Sequence, residues 1–333
     1  MQAIAIVCFG SYIGYLVINM VCTCGANIVI GIVCGKRYPF LKKYKREKLC
    51  GEDKEKLKRS VVSLMYQKIG AKLVTGTDNL MISYAKLTLM GIYSNYSMVV
   101  STVSRVVYNV LCSTMGSVGN LMVQTDDDHK YNVFEEFAFA TFCFYFFIAA
   151  GFAGCLERFI VLWAGEDWLL PPSVTFVVIL NFFLTGQRQP NIVVIEAAGL
   201  FNKQRLKAVG EVVVNLVVSF LFLAVFKMGI YGVLLGTTVS MAGVCIWWEI
   251  LAVHKYALHR PVKRYYINYL IQTGAAALGC FAAYGASCCI PLDGIAGLLA
   301  AGVVSAAIFF AVVLIFYGRS RVFKALLRRF GKK

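Results

Sequence analysis

Charge is scarce in this chain. Asp, Glu, Lys and Arg make up 15% of its 333 residues, against about 25% in an average soluble domain. Acid is the scarcer sign, with 17 Asp+Glu against 33 Lys+Arg and a formal net charge of +16. Histidine occurs only as His129, His254 and His259, all outside the long apolar runs. There is no HExxH, no GxxxxGK[ST], no GxGxxG following a strand and no GxSxG. Hydrolase, kinase and dinucleotide-binding sites therefore have no motif to stand on, and no catalytic residue is assigned. Cysteine is not rare, but its twelve copies contain no CxxC, and the single CxC (Cys22, Cys24) lies inside an apolar run. That excludes a zinc or disulfide framework and leaves cysteine as a small hydrophobe. Proline is rare, with six residues in all, and only Pro190 falls inside a long apolar stretch.

What the chain has in abundance is apolar surface: 59% of residues are hydrophobic and the mean hydropathy is +0.71. A helix rising ~1.5 Å per residue needs ~20 apolar residues to cross ~30 Å of hydrocarbon. Nine stretches qualify, over 12–35, 61–83, 89–112, 137–156, 172–200, 208–226, 229–253, 267–286 and 295–317. Backbone in lipid must satisfy its own hydrogen bonds, so these are expected as helices, and no barrel-like alternation is present. The sequence thus predicts an all-α polytopic membrane protein of about nine spans.

The basic residues test that number. With segment 36–60 placed in the cytoplasm, 26 of the 33 Lys+Arg fall in cytoplasmic connectors. Only Lys86, Arg158 and Lys227 fall outside, and Lys68, Lys72, Arg105 and Arg188 fall within spans. Such asymmetry is what the positive-inside rule requires, and it puts the C-terminus in the cytoplasm. It also removes nucleic acid as the reason for the charge, because the basic clusters flank spans, where topology and anionic membrane lipids account for them. Residues 1–9 are apolar but too short to cross and carry no signal-peptide features. The chain is therefore expected to begin partway through a helical hairpin, as a fragment or from a misassigned start.

An ionisable group inside a span costs at least a few kcal/mol and faces a partner or a cavity. On the second span Lys68, Lys72 and Asn79 share one face at ~100° per residue, with Asp78 turned away toward a neighbouring helix. Snorkelling to the interface is the alternative for the two lysines. On the third span Ser101, Arg105 and Asn109 form a stripe at i, i+4, i+8, and Arg105 needs water, a carboxylate or an anionic ligand. The fifth span carries Asn181, then Gly186-Gln187-Arg188-Gln189-Pro190-Asn191, then Glu196. Pro190 removes a backbone hydrogen bond, and a helix broken there beside Arg188 is how transporters build midplane sites. A kink serving only packing is the alternative. Gly232 and Gly236 stand at the GxxxG spacing of close helix packing. The basic segment 36–60, interspersed with Tyr38, Phe40, Leu41, Tyr44 and Leu49, reads as a linker between bundles that lies along the interface.

Several fragments, in order, match one family. They are Lys36-Arg37-Tyr38-Pro39-Phe40-Leu41-Lys42, Gln67-Lys68-Ile69-Gly70 with Thr77-Asp78-Asn79, Gly91 through Tyr96, Ser117 through Leu121, and Phe159 through Gly165. Gly186-Gln187-Arg188 with Gly199-Leu200-Phe201, and Gly229 through Gly232 with Leu235-Gly236-Thr237, complete the series. Together they resemble the bacterial polysaccharide-repeat-unit flippases, the Wzx-like polysaccharide transporters of the MATE/MOP exporter superfamily. Gln67 stands where that family usually has His. The resemblance implies a MATE/MOP-flippase-like C-terminal lobe. It divides the chain into a remnant of the N-terminal lobe (1–35), an inter-lobe connector (36–60), a six-helix lobe (61–256), and two further helices with a basic tail (257–333). It implies translocation of an undecaprenyl-diphosphate-linked oligosaccharide across the bacterial cytoplasmic membrane by alternating access. Lys68, Lys72, Arg105, Arg188, Asn181 and Gln187 are then the substrate-binding candidates, Asp78 and Glu196 the cation-coupling candidates, and Pro190 the hinge. It implies no cofactor beyond coupling to H+ or Na+, and polysaccharide polymerase and glycosyltransferases as partners. Two other readings stay open: a MATE-type small-molecule/cation antiporter, and a truncated, non-transporting fragment.

Overall fold

The computed structural model describes residues 12–40, 50–123 and 126–331. Residues 1–9, and Leu41, Tyr44 and Leu49 of the basic connector, lie outside the described residues. Every element among the described residues is helical and none is a strand. The chain divides into two compact units, 1–57 and 58–333. The first contains α1 (Tyr12–Arg37), an uninterrupted apolar helix ending on Lys36 and Arg37, where two cations meet the negative end of the helix dipole.

The boundary between the units falls within α2 (Gly51–Ala85), which starts ten residues before the expected span, with Glu52 and Asp53 in its first turn. After it come α3 (Leu87–Cys112), the short α4 (Met115–Val123), and α5 (Asp127–Ala164), whose N-cap Asp126 accepts from the Asp128 amide. Next are α6 (Pro172–Ala197), α7 (Arg205–Phe220) and α8 (Gly229–Ser240). The last four are α9 (Ile246–Val253), α10 (Lys263–Cys288), α11 (Gly294–Tyr317) and α12 (Arg321–Gly331). Single π turns follow α7, α8 and α9, so the helix from Gly229 runs on without a break to Leu258.

Five of these helical stretches are long and apolar enough to cross a bilayer, or six if the bent pair α3 and α4 forms one span. The protein is an all-helical polytopic membrane protein. The predicted spans 61–83, 172–200 and 267–286 are helical but fall short of that apolarity.

The second unit is organised on α5, which packs against α6, α10, α11 and α12. The packing follows membrane logic, with small residues inward and large apolar ones outward. On α11, Ala301 and Ser305 are buried, whereas Val303 is 71% and Leu299 66% exposed. A Cβ added at Gly154 of α5 would overlap the Ser305 hydroxyl, which is why these helices can approach so closely. The GxxxG expectation on α8 holds in the same way: a Cβ at Gly236 would meet the Ser219 backbone of α7, and one at Gly232 would meet Phe222.

Candidate functional site

An open cavity of about 470 Å³ lies among α3, α5, α6 and α8. The i, i+4 stripe of α3 supplies Ser101 and Arg105 to it, both exposed, while α6 supplies Asn181 and Gln189 and α8 supplies Thr237. Asn109, the third member of the stripe, is also exposed. Asn181 is held rigidly: its amide donates to the Leu234 carbonyl at 3.0 Å, and its oxygen accepts from Thr238 at 2.7 Å. Tyr145, whose ring fills the space left by Gly186, and Phe182 give the cavity an apolar floor. A cation in such a recess, with apolar walls around it and polar groups opposite, attracts anions more strongly than it would in open water.

Asp78 turns away from Lys68 and Lys72 toward a neighbouring helix, as its position on α2 predicts. Thr237 donates to its Oδ2 at 2.7 Å, and the Asn215 amide donates to Thr237 Oγ1 at 3.2 Å. The chain Asn215–Thr237–Asp78 thus joins α7, α8 and α2. Thr237 also lines the cavity, so the buried carboxylate stands one hydroxyl behind the wall that faces Arg105.

Arg188 has a different setting. It is buried, with Nε donating to Glu249 Oε2 at 2.9 Å and Nη2 to Oε1 at 2.6 Å. Lys207 Nζ donates to the same Oε1 at 2.8 Å and lies 3.7 Å from Glu211. Glu249, 1% exposed, therefore carries two cations and ties α6, α7 and α9 together. Charges this deep persist because each has an opposite charge in hydrogen-bond contact. Arg188 is thus committed to an internal carboxylate, and its place in a ligand-facing site is corrected accordingly. Gln187 is likewise internal, donating to Gln272 at 3.2 Å and accepting from Thr273 at 2.9 Å, both on α10.

The break expected at Pro190 is also corrected. Helix α6 continues through Pro190 from Pro172 to Ala197. Residues 186–191 are all buried against neighbouring helices, so tertiary packing keeps the helix continuous past the missing Pro190 donor, and beside it the Gln189 side-chain amide donates to the Thr185 carbonyl at 3.3 Å. The helix ends at Gly199, whose φ of +67° is a left-handed conformation that suits glycine.

Lys68 and Lys72 are exposed on α2, away from the cavity lining described above. Glu196 is half-buried near the end of α6, with Tyr108 of α3 in its electrostatic neighbourhood. It is not part of the Asp78 cluster. His254, expected in a connector, is instead fully buried, its ring stacked edge-on against Phe134 and its Nδ1 3.0 Å from the Ile250 carbonyl.

Sequence reasoning missed Glu249, Lys207, Asn215 and Thr237. Glu249 had a usable signal, because it is a carboxylate inside the predicted span 229–253. Lys207 was counted among the topology-setting charges, since it sits at the edge of a connector. Compared with protein-family models, with curated proteins and with solved structures, the chain matches none.

Proposed function

We propose that this protein is an exporter of lipid-linked oligosaccharides, with a MATE/MOP-like lobe, about nine spans and its C-terminus in the cytoplasm of a bacterium. Its substrate is an undecaprenyl-diphosphate-linked repeat unit, carried between leaflets by alternating access. The observation that supports this most directly is the open cavity with an exposed guanidinium, Arg105, facing Asn181, Gln189 and Thr237. A diphosphate is planar-fork chemistry for arginine, and the hydroxyl and amide groups opposite suit sugar hydroxyls.

Asp78 gives the coupling step a physical basis. A proton or Na+ taken up at its carboxylate changes what Thr237 Oγ1 can donate to, and Thr237 faces the cavity. Ligand and cation then read each other through one hydroxyl, which is reciprocal by linkage.

Purified protein in proteoliposomes, loaded with the lipid-linked oligosaccharide in the outer leaflet, tests the proposal by loss of glycan access to an added glycosidase. Protein-dependent loss of access is expected, and Arg105→Ala should slow it about tenfold or more. Unchanged transport in Arg105→Ala removes the anionic-headgroup reading.

A cation antiporter is the second reading, favoured by the buried Asp78 carboxylate beside the cavity. It requires the opposite sensitivities, with Asp78→Asn inactive and Arg105→Ala tolerated. Absence of transport by the folded chain favours a non-transporting role in glycan assembly with polymerase or glycosyltransferase partners.

A further inference from the structure

A second recess, separate from the Arg105 cavity, lies where the start of α10 and the end of α11 meet α5 and α12. It is a crevice of about 180 Å³ lined by Glu135, Arg264, Asn268, Tyr269, Tyr317 and Arg321, among others. Three independent features of it point to a ligand.

The first is an unpaired buried donor. Tyr269 is 6% exposed, lines the crevice, and its hydroxyl has no hydrogen-bond partner among the described residues. The Tyr317 hydroxyl is buried and unpaired as well, although its ring is fixed against Phe139 and Phe142. A buried hydroxyl left without a partner costs about 1–3 kcal/mol, and native structures seldom retain one without a ligand or water to satisfy it.

The second is uncommitted positive charge. Arg264 has only a loose partner, with Nε 4.0 Å from Glu135, and its side chain is 72% exposed. Arg321 is exposed at the same mouth.

The third is a helix N-terminus. Ser320, Arg321 and Val322 all line the crevice. Ser320 Oγ accepts from the Phe323 amide and caps α12, so the positive end of that helix dipole opens into the same space.

Two guanidiniums, a helix N-terminus and a buried phenol are groups that a phosphate ester can pair with. The crevice also contains Glu135, 15% exposed in its side chain, which would repel a bare phosphate dianion but can accept from a hydroxyl next to the phosphate. The crevice lies at the ends of membrane helices, and Leu314 and Phe310 run outward along α11 as exposed apolar surface where acyl chains can lie. We propose that this crevice binds the headgroup of an anionic glycerophospholipid, a phosphodiester carrying a free hydroxyl. Arg264, Arg321 and the α12 N-terminus would hold the phosphate, Tyr269 would donate to an ester oxygen, and Glu135 would accept from the headgroup hydroxyl.

The test is native mass spectrometry of the detergent-purified full chain titrated with dioleoyl-phosphatidylglycerol, dioleoyl-phosphatidylcholine or sodium phosphate. The wild type should retain phosphatidylglycerol selectively. The double variant R264Q/R321Q should bind it about tenfold or more weakly, and Tyr269→Phe several-fold more weakly. Arg328→Gln, an exposed charge elsewhere on α12, should bind as the wild type does. Melting temperatures of the variants check folding, and the exposed arginines should leave them unchanged. Equal retention of phosphatidylcholine, wild-type affinity in the double variant, or an equal loss in Arg328→Gln overturns the proposal. Displacement of phosphatidylglycerol by equimolar inorganic phosphate overturns the lipid assignment in favour of the free anion.

Discussion

Arg105 and Arg188 both stand in the middle of long helices, and their fates differ completely. Arg105 is exposed on a cavity wall. Arg188 is buried in a two-pronged contact with Glu249, which Lys207 shares. Each resolves the cost of a cation in an apolar setting in a different way. One keeps access to water and to ligands, and the other recruits a carboxylate from a helix 61 residues along the chain. A mid-span arginine is therefore not by itself a ligand contact. What decides its role is whether the fold supplies an internal counter-charge.

The largest expected effect tests the buried side of this comparison. Glu249→Ala leaves Arg188 buried without a carboxylate and Lys207 with only Glu211, 3.7 Å away, and should cost about 3–5 kcal/mol, read as a lower melting temperature and reduced yield of folded protein. Replacing Arg188, Glu249 and Lys207 together by apolar residues of similar size should cost much less, because no charge is left stranded. If the single and triple variants melt alike, the triad is not acting as a unit.

Thr237→Val comes next. It removes the donor to Asp78 and the acceptor for Asn215 while keeping the side-chain shape, and should cost about 1–3 kcal/mol. If transport is cation-coupled, the cation dependence should weaken together with stability.

Arg105→Ala should reverse the pattern of Glu249→Ala. Its ligand or transport readout falls about tenfold or more, while the melting temperature barely moves, because the exposed side chain has no internal partner among the described residues to abandon. A large stability loss in this variant would erase the contrast between the two arginines.

The smallest effects belong to Lys68→Gln and Lys72→Gln. Both residues are exposed on α2, and each change should fall within about 0.5 kcal/mol in stability. A strong transport defect in either would extend the substrate path onto α2.

The helices were legible in the sequence because their signal is local. Runs of ~20 apolar residues leave the backbone no other partner, and all nine predicted stretches are helical in the structure. Their ends were less legible. Helix α5 starts at Asp127 because Asp126 caps it, ten residues before the apolar stretch begins at 137. The out-of-place Arg158 was also unreadable. It donates to the Ser287, Ile290 and Leu292 carbonyls, closing the end of α10 and the turn after it. A topology rule sees only its charge, whereas the fold uses its fork of donors.

The site was partly legible for a similar reason. The i, i+4 stripe on α3 can be read from spacing alone, and so can the turn of Asp78 away from its lysine neighbours. Pro190 misled, because a missing donor looks like a break until the buried neighbours that hold the helix together are known. Arg188 misled, because its partner lies on another helix and nothing local announces it.

The sequence by itself determined that this protein is helical, belongs in a membrane, and carries a few costly polar groups there, since hydropathy and helical period are properties of neighbouring residues. Only the tertiary structure decided which of those groups are satisfied internally. That depends on which helices touch, and a pair such as Arg188 and Glu249, or Asp78 and Thr237 159 residues apart, exists only once they do.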